Sequence, residues 1–184
     1  MATVSQIRRM SVLLTGFEPF GPWRVNSSWE GACHYAATTR RPVRLLRLPV
    51  DHALAAQRLR DALDRFEPEI CLMTGLAAGV RLRLERRARR PEIADWPEGP
   101  DSRAGDWRWG AAQSRLRSSV GPSAYSTDAG QYVCESAYRA LLDWRAEAAR
   151  PCAAAFLHVP PLSRTWPVAR IAAAIEATLS AQRA

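Results

Sequence analysis

The chain has 184 residues, with 26 basic against 18 acidic side chains and a formal net charge of +8. That length fits one domain, 1–184, able to bury a hydrophobic core without metals or disulfides as staples. With 47% hydrophobic and 24% charged residues, the composition excludes disorder as the main state. No stretch approaches the roughly 20 apolar residues of a membrane-spanning helix.

The early apolar run 12–14 is too short for a signal-peptide core. The reading is therefore a cytoplasmic protein with no membrane partner. All 26 basic residues are Arg, and the sole Asn is Asn26. That bias suits a GC-rich coding sequence, so the charge reads as a solvated Arg surface and no nucleic-acid partner is expected. Cys33, Cys71, Cys134 and Cys152 form no C-x-x-C pair, which leaves no convincing metal site and predicts free thiols.

In chain order, residues 11–17 read as a short buried strand, and 18–28 as a loop rich in Pro and Gly. Asn26 or Ser27 caps a helix to about residue 38. Residues 43–50 form a second strand, and Asp51 caps a helix over 52–66 whose apolar residues recur at helical spacing. Residues 69–74 are a continuous apolar run suited to a strand buried on both faces. Residues 75–79 read as a turn and 80–90 as a strand or hairpin arm. The Pro-, Gly- and Trp-rich stretch 91–124 reads as loop and hairpin, with Trp96, Trp107 and Trp109 either forming a lid or packing on the body. A helix over about 129–147, a strand over 153–159 and a helix over about 166–181 complete the chain.

Strands alternating with helices predict an α/β fold, a three-layer α/β/α sandwich around a mostly parallel twisted sheet. In such sheets ligands sit at the carboxyl ends of the strands. This points to residues 15–20, 75–85 and 158–160.

Three residues could carry chemistry. Cys134 lies in the first turns of a helix, where the dipole favours a thiolate nucleophile; the plain alternative is a buried Cys acting as a small hydrophobe. His158 ends an apolar strand, placed to take and return a proton, or is a core His with satisfied hydrogen bonds. His34 and His52 sit at helix starts or faces and look incidental. Glu85 could orient the His as a third triad member, or be a surface ion pair among its Arg neighbours. Glu135 adjoins the thiol and would oppose the dipole unless it points away.

Five blocks together resemble the pyroglutamyl peptidase I (pyrrolidone carboxylate peptidase) family of cysteine peptidases. They are VLLTGFEPFG at 12–21, NSSWE at 26–30, GLAAGVRLRLER at 75–86, STDAGQYVC at 126–134 and FLHVP at 156–160. The resemblance implies Cys134 as nucleophile, His158 as general base and then acid, and Glu85 as the residue orienting His158. It further implies Phe17, Phe20 and Val133 as substrate contacts around a small, flat lactam. The implied reaction removes an N-terminal pyroglutamyl group from a small peptide through an acyl-enzyme, with no metal or other cofactor. Family members often associate into dimers or tetramers, so a homo-oligomer is compatible. Where this family's Gly-rich turn often carries Gln, the chain has Leu76. The alternatives are the same fold and triad acting on another small acyl or amide substrate, or a catalytically weakened binding homologue.

Overall fold

The computed structural model describes residues 11–89, 102–103, 107–148 and 151–183. Strands β1 (Val12–Phe17), β2 (Val43–Leu48) and β3 (Ile70–Leu76) alternate with helices α1 (Ser27–Thr38) and α2 (His52–Phe66). Strand β4 (Leu82–Glu85) follows, then the short pair β5 (Arg87–Ala88) and β6 (Ser102–Arg103). Helix α3 (Trp109–Ser119), strand β7 (Ser123–Ser126), helix α4 (Val133–Ala148), strand β8 (Ala153–Val159) and helix α5 (Val168–Ser180) come next. The main sheet has the order β2-β1-β3-β8-β4-β7. It is parallel except where β4 runs antiparallel to β8.

The helix starts follow local chemistry. Asn26 Oδ1 accepts the Ser28 N–H at 3.0 Å, and Asp51 Oδ1 accepts the Leu54 N–H at 2.8 Å. Each satisfies a first-turn donor that has no partner inside the helix. Pro167 precedes α5 as its cap, its missing N–H costing the helix nothing.

Side chains alternate across a strand, so each central strand feeds two cores. Val12, Leu14, Ile70, Leu72, Leu82, Leu84 and Leu157 face α1, α3 and α5. Leu13, Phe17, Cys71, Met73, Ala154 and Phe156 face α2 and α4. This is the expected three-layer α/β/α arrangement. Among the described residues no helix is long and apolar enough to cross a membrane.

Three expectations are corrected and two open alternatives are settled. Residues 109–119 are helical and 123–126 form an edge strand, where loop and hairpin were expected. Helix α3 buries only Ala112 and Leu116 and has no side-chain cap, so its apolar stripe is too thin to stand out in sequence. Trp107 is buried in the core and Trp109 packs against it, so these two belong to the body; Trp96 lies outside the described residues. Strand β3 runs on to Leu76 through the expected turn, because Gly75 and Leu76 pair with His158 and Val159. Helix α4 starts at Val133 rather than 129, since residues 126–130 are held in a turn. Of the two readings of 80–90 the strand holds: β4 inserts between β8 and β7.

Candidate active site

The nucleophile-like cysteine is set by a turn. Ser126 Oγ donates to Asp128 O at 3.0 Å and accepts from Asp128 N, while Asp128 Oδ1 accepts from Gly130 N at 2.9 Å. Gly130 has φ +84°, a left-handed conformation that favours glycine. The chain then enters α4 with Cys134 as its second residue.

The strands deliver the partners by register. His158 lies beside Gly75 on one flank and Arg83 on the other, and Glu85 lies opposite Phe156. Residues two apart share a face, so Arg83, Glu85, Phe156 and His158 project together toward α4. Glu85 and His158 are diagonal neighbours across an antiparallel pair, close enough for long side chains to meet. Glu85 Oε1 lies 2.8 Å from His158 Nδ1, with both residues buried. A carboxylate only accepts, so Nδ1 carries the proton and Nε2 is left as the basic nitrogen.

The Cys134 thiol lies over Gly75, beside His158 in register, because Gly75 has no side chain. A Cβ there would stand 3.0 Å from Cys134 Sγ and 2.8 Å from Phe156 Cζ. The Phe156 ring in turn packs on the His158 ring, with centroids 4.6 Å apart. Tyr138, one turn along α4 from Cys134 and therefore on the same face, donates its hydroxyl to Glu85 O at 2.9 Å. Helix and strand are thus tied together at the residues that matter.

The electrostatics correct one expectation. The Cys134 thiol is pushed up to about 12, by burial first and then by the negative charges of Glu85 and Glu135. Its own backbone N–H and Arg83 oppose this but do not prevail. The expected dipole-stabilised thiolate is therefore not the resting state. His158 is pushed below the ordinary imidazole value by burial, against the opposing pull of Glu85. At neutral pH Cys134 is a thiol and His158 a neutral imidazole. Glu135 turns to Arg89, accepting its backbone N–H and lying 3.8 Å from its guanidinium Nε. Burial still pushes that carboxyl up to about 7.

A pocket of about 200 Å³ opens onto Cys134. Phe17, Phe20 and Val133 line it, together with Asn26, His52, Leu76, Val50 and Tyr132. The arrangement therefore joins a thiol, a buried acid–imidazole pair and a small, mostly apolar slot. Among the described residues no group of three or more His, Cys, Asp or Glu could hold a metal ion.

Residues 10–103 match the family model for pyroglutamyl peptidase. The pyrrolidone-carboxylate peptidase of Thermococcus onnurineus is 30% identical over 173 residues, covering 82% of this chain and 84% of that protein. The chain belongs to the pyroglutamyl peptidase family. This is a family of cysteine-type peptidases, so the protein is an enzyme of that class. The pyrrolidone-carboxylate peptidase of Gloeobacter violaceus is 33% identical, covering 83% of this chain and 82% of its own length. In structure, the pyroglutamyl peptidase I of Bacillus amyloliquefaciens superposes with a TM-score of 0.81 at 23% identity, covering 94% of each chain. The pyrrolidone carboxyl peptidase of Fervidobacterium islandicum does so with a TM-score of 0.77 at 25% identity, over 95% of this chain and 98% of that one.

The family-model match ends at residue 103, short of Cys134 and His158. The geometry around those two residues thus comes from the fold of this chain itself. Sequence reasoning missed Tyr138 and treated His52 as incidental. Tyr138 left a signal, standing four residues after Cys134 on one helical face. His52 left none, because its closeness to the pocket depends on how α2 packs against α4.

Proposed function

We propose that this enzyme removes an N-terminal pyroglutamyl group from small peptides, with Cys134 as nucleophile, His158 as proton carrier and Glu85 orienting His158. The observation that carries this reading is the buried Glu85–His158 hydrogen bond of 2.8 Å on the sheet face that meets Cys134. The names of the curated relatives support the substrate class.

The resting thiol and neutral imidazole call for general-base attack. His158 Nε2 takes the thiol proton as sulfur bonds to the carbonyl carbon next to the lactam ring, and the carbonyl electron pair moves to oxygen. Backbone N–H groups in the first turn of α4 would receive that oxyanion. Collapse breaks the C–N bond, and the leaving amine takes the proton from His158. A thioester remains. Water, deprotonated by His158, attacks it; the C–S bond breaks, sulfur regains a proton, and pyroglutamate leaves. Glu85 keeps the proton on Nδ1 and stabilises the imidazolium formed in each step.

The lactam is small, flat and half apolar. Phe17, Phe20 and Val133 would clasp its ring in a slot of fitting size. The test is hydrolysis of a fluorogenic pyroglutamyl amide by reduced protein, with Cys134→Ala as control. Turnover that disappears in the variant is expected. Folded wild-type protein with no turnover overturns the reading.

A further inference from the structure

Most side chains around the pocket offer the substrate only carbon, beside the main-chain groups that any lining supplies. Leu76, Val50, Val133 and the two Phe rings have no polar side-chain atom. Asn26 is almost wholly buried and spends its amide on the loop: Nδ2 donates to Glu18 O, and Oδ1 accepts from both N and Oγ of Ser28. Tyr132 stands at the rim, 74% exposed. A lactam ring brings one N–H donor and one carbonyl acceptor into this space. Main-chain groups can meet part of this demand, and a side chain that also pairs with the ring's polar edge tells it from an all-carbon ring.

His52 is the remaining polar side chain of the lining besides the reactive thiol. It is the first residue of α2 and only half-buried. Its Nδ1 lies 2.6 Å from Oγ of Ser136, a fully buried residue of α4 two positions after Cys134. That contact orients the ring. It also commits one nitrogen, so the protonation of Nε2 is set by which partner donates to the other. Among the described residues Nε2 has no hydrogen-bond partner.

We propose that His52, held by Ser136, is the specificity residue that reads the polar edge of the bound lactam through Nε2. With the proton on Nδ1, Nε2 accepts the ring N–H; with Ser136 donating to Nδ1, Nε2 donates to the ring carbonyl. Either tautomer supplies one hydrogen bond to an otherwise apolar slot. The recognition device thus spans α2 and α4, and its α4 anchor shares a helical turn with the thiol. This inference rests on the pyroglutamyl reading and names how the ring is told from an all-carbon one.

The test compares two coumarin amides with five-membered acyl rings, L-pyroglutamyl and cyclopentanecarbonyl. The readout is the ratio of their kcat/KM values in wild type, His52→Phe, His52→Gln and Ser136→Ala. One neutral hydrogen bond predicts that His52→Phe lowers the ratio about tenfold. His52→Gln, which restores a donor and an acceptor, should recover most of it, and Ser136→Ala should fall between. A ratio in His52→Phe equal to that of wild type overturns the proposal, whether or not absolute rates fall. Binding of L-pyroglutamyl amide to the Cys134→Ala background by calorimetry separates the two readings. Binding weakened about tenfold by adding His52→Phe supports the role of His52 even if wild type hydrolyses neither amide. Binding unaltered by it overturns the role even if hydrolysis is fast.

Discussion

His158 ends a parallel strand, Glu85 ends the one antiparallel neighbour of that strand, and their side chains meet at 2.8 Å. The antiparallel insertion is what makes the meeting possible. It brings the end of β4 back along β8, so that an acid two residues out of register reaches Nδ1 of the imidazole.

Glu85→Gln should leave the fold intact and reduce kcat/KM by less than His158→Ala, because an orienting group costs less than the proton carrier. It should also move the acid limb of the pH profile. Glu85 raises the His158 pKa against burial, so removing its charge lowers that pKa further. The limb that reports the neutral imidazole then shifts to lower pH in the variant. An unshifted limb counts against the pairing.

Cys134→Ala and His158→Ala should each abolish turnover while their far-UV dichroism remains that of wild type. Cys134→Ala removes one sulfur from a pocket floor, and its thermal midpoint should stay near that of wild type. Wild-type-like rates in either variant would remove it from the reaction.

Gly75→Ala should damage both stability and activity. The added Cβ meets Phe156 at 2.8 Å and Cys134 Sγ at 3.0 Å. Overpacking of this kind costs about 1–3 kcal/mol, measurable as a lower urea midpoint. Activity should fall further than stability, because the displaced atom is the sulfur.

Glu135 carries a pH signature. Its carboxyl titrates near 7 in the folded protein because it is buried, against an ordinary value near 4.5 in the unfolded chain. The protonated form is the one the fold prefers, so the associated stability is complete below about pH 4.5 and is lost as pH rises through about 7. Glu135→Gln stays neutral and still accepts the Arg89 N–H. Urea unfolding at pH 5 and pH 8.5 should show the variant gaining on wild type at the higher pH. The same substitution removes a negative charge that raises the Cys134 pKa, so iodoacetamide should alkylate the thiol faster at pH 8.5.

The alternation of short apolar strands with capped helices was enough to predict the layered α/β fold, because side-chain periodicity is a local property of the chain. Cys134, His158 and Glu85 were singled out by the motifs that carry the family resemblance, and the fold brings Glu85 and His158 into contact. Phe17, Phe20 and Val133 came from the same resemblance, and all three line the pocket beside Cys134. Helix α3 was not legible: it buries only Ala112 and Leu116, and its helical state is upheld by packing against α5 and the core.

Other features depend on contacts between residues far apart in sequence. The place of β4 between β8 and β7 decides that Glu85 meets His158 rather than solvent. The packing of α2 on α4 brings His52 to Ser136 across 84 residues. The packing of α4 on the sheet sets the half-buried Cys134 thiol near Glu85 and Glu135, so its pKa rises although it begins a helix. Burial and distant charge act through space, and the fold alone determines which groups they reach.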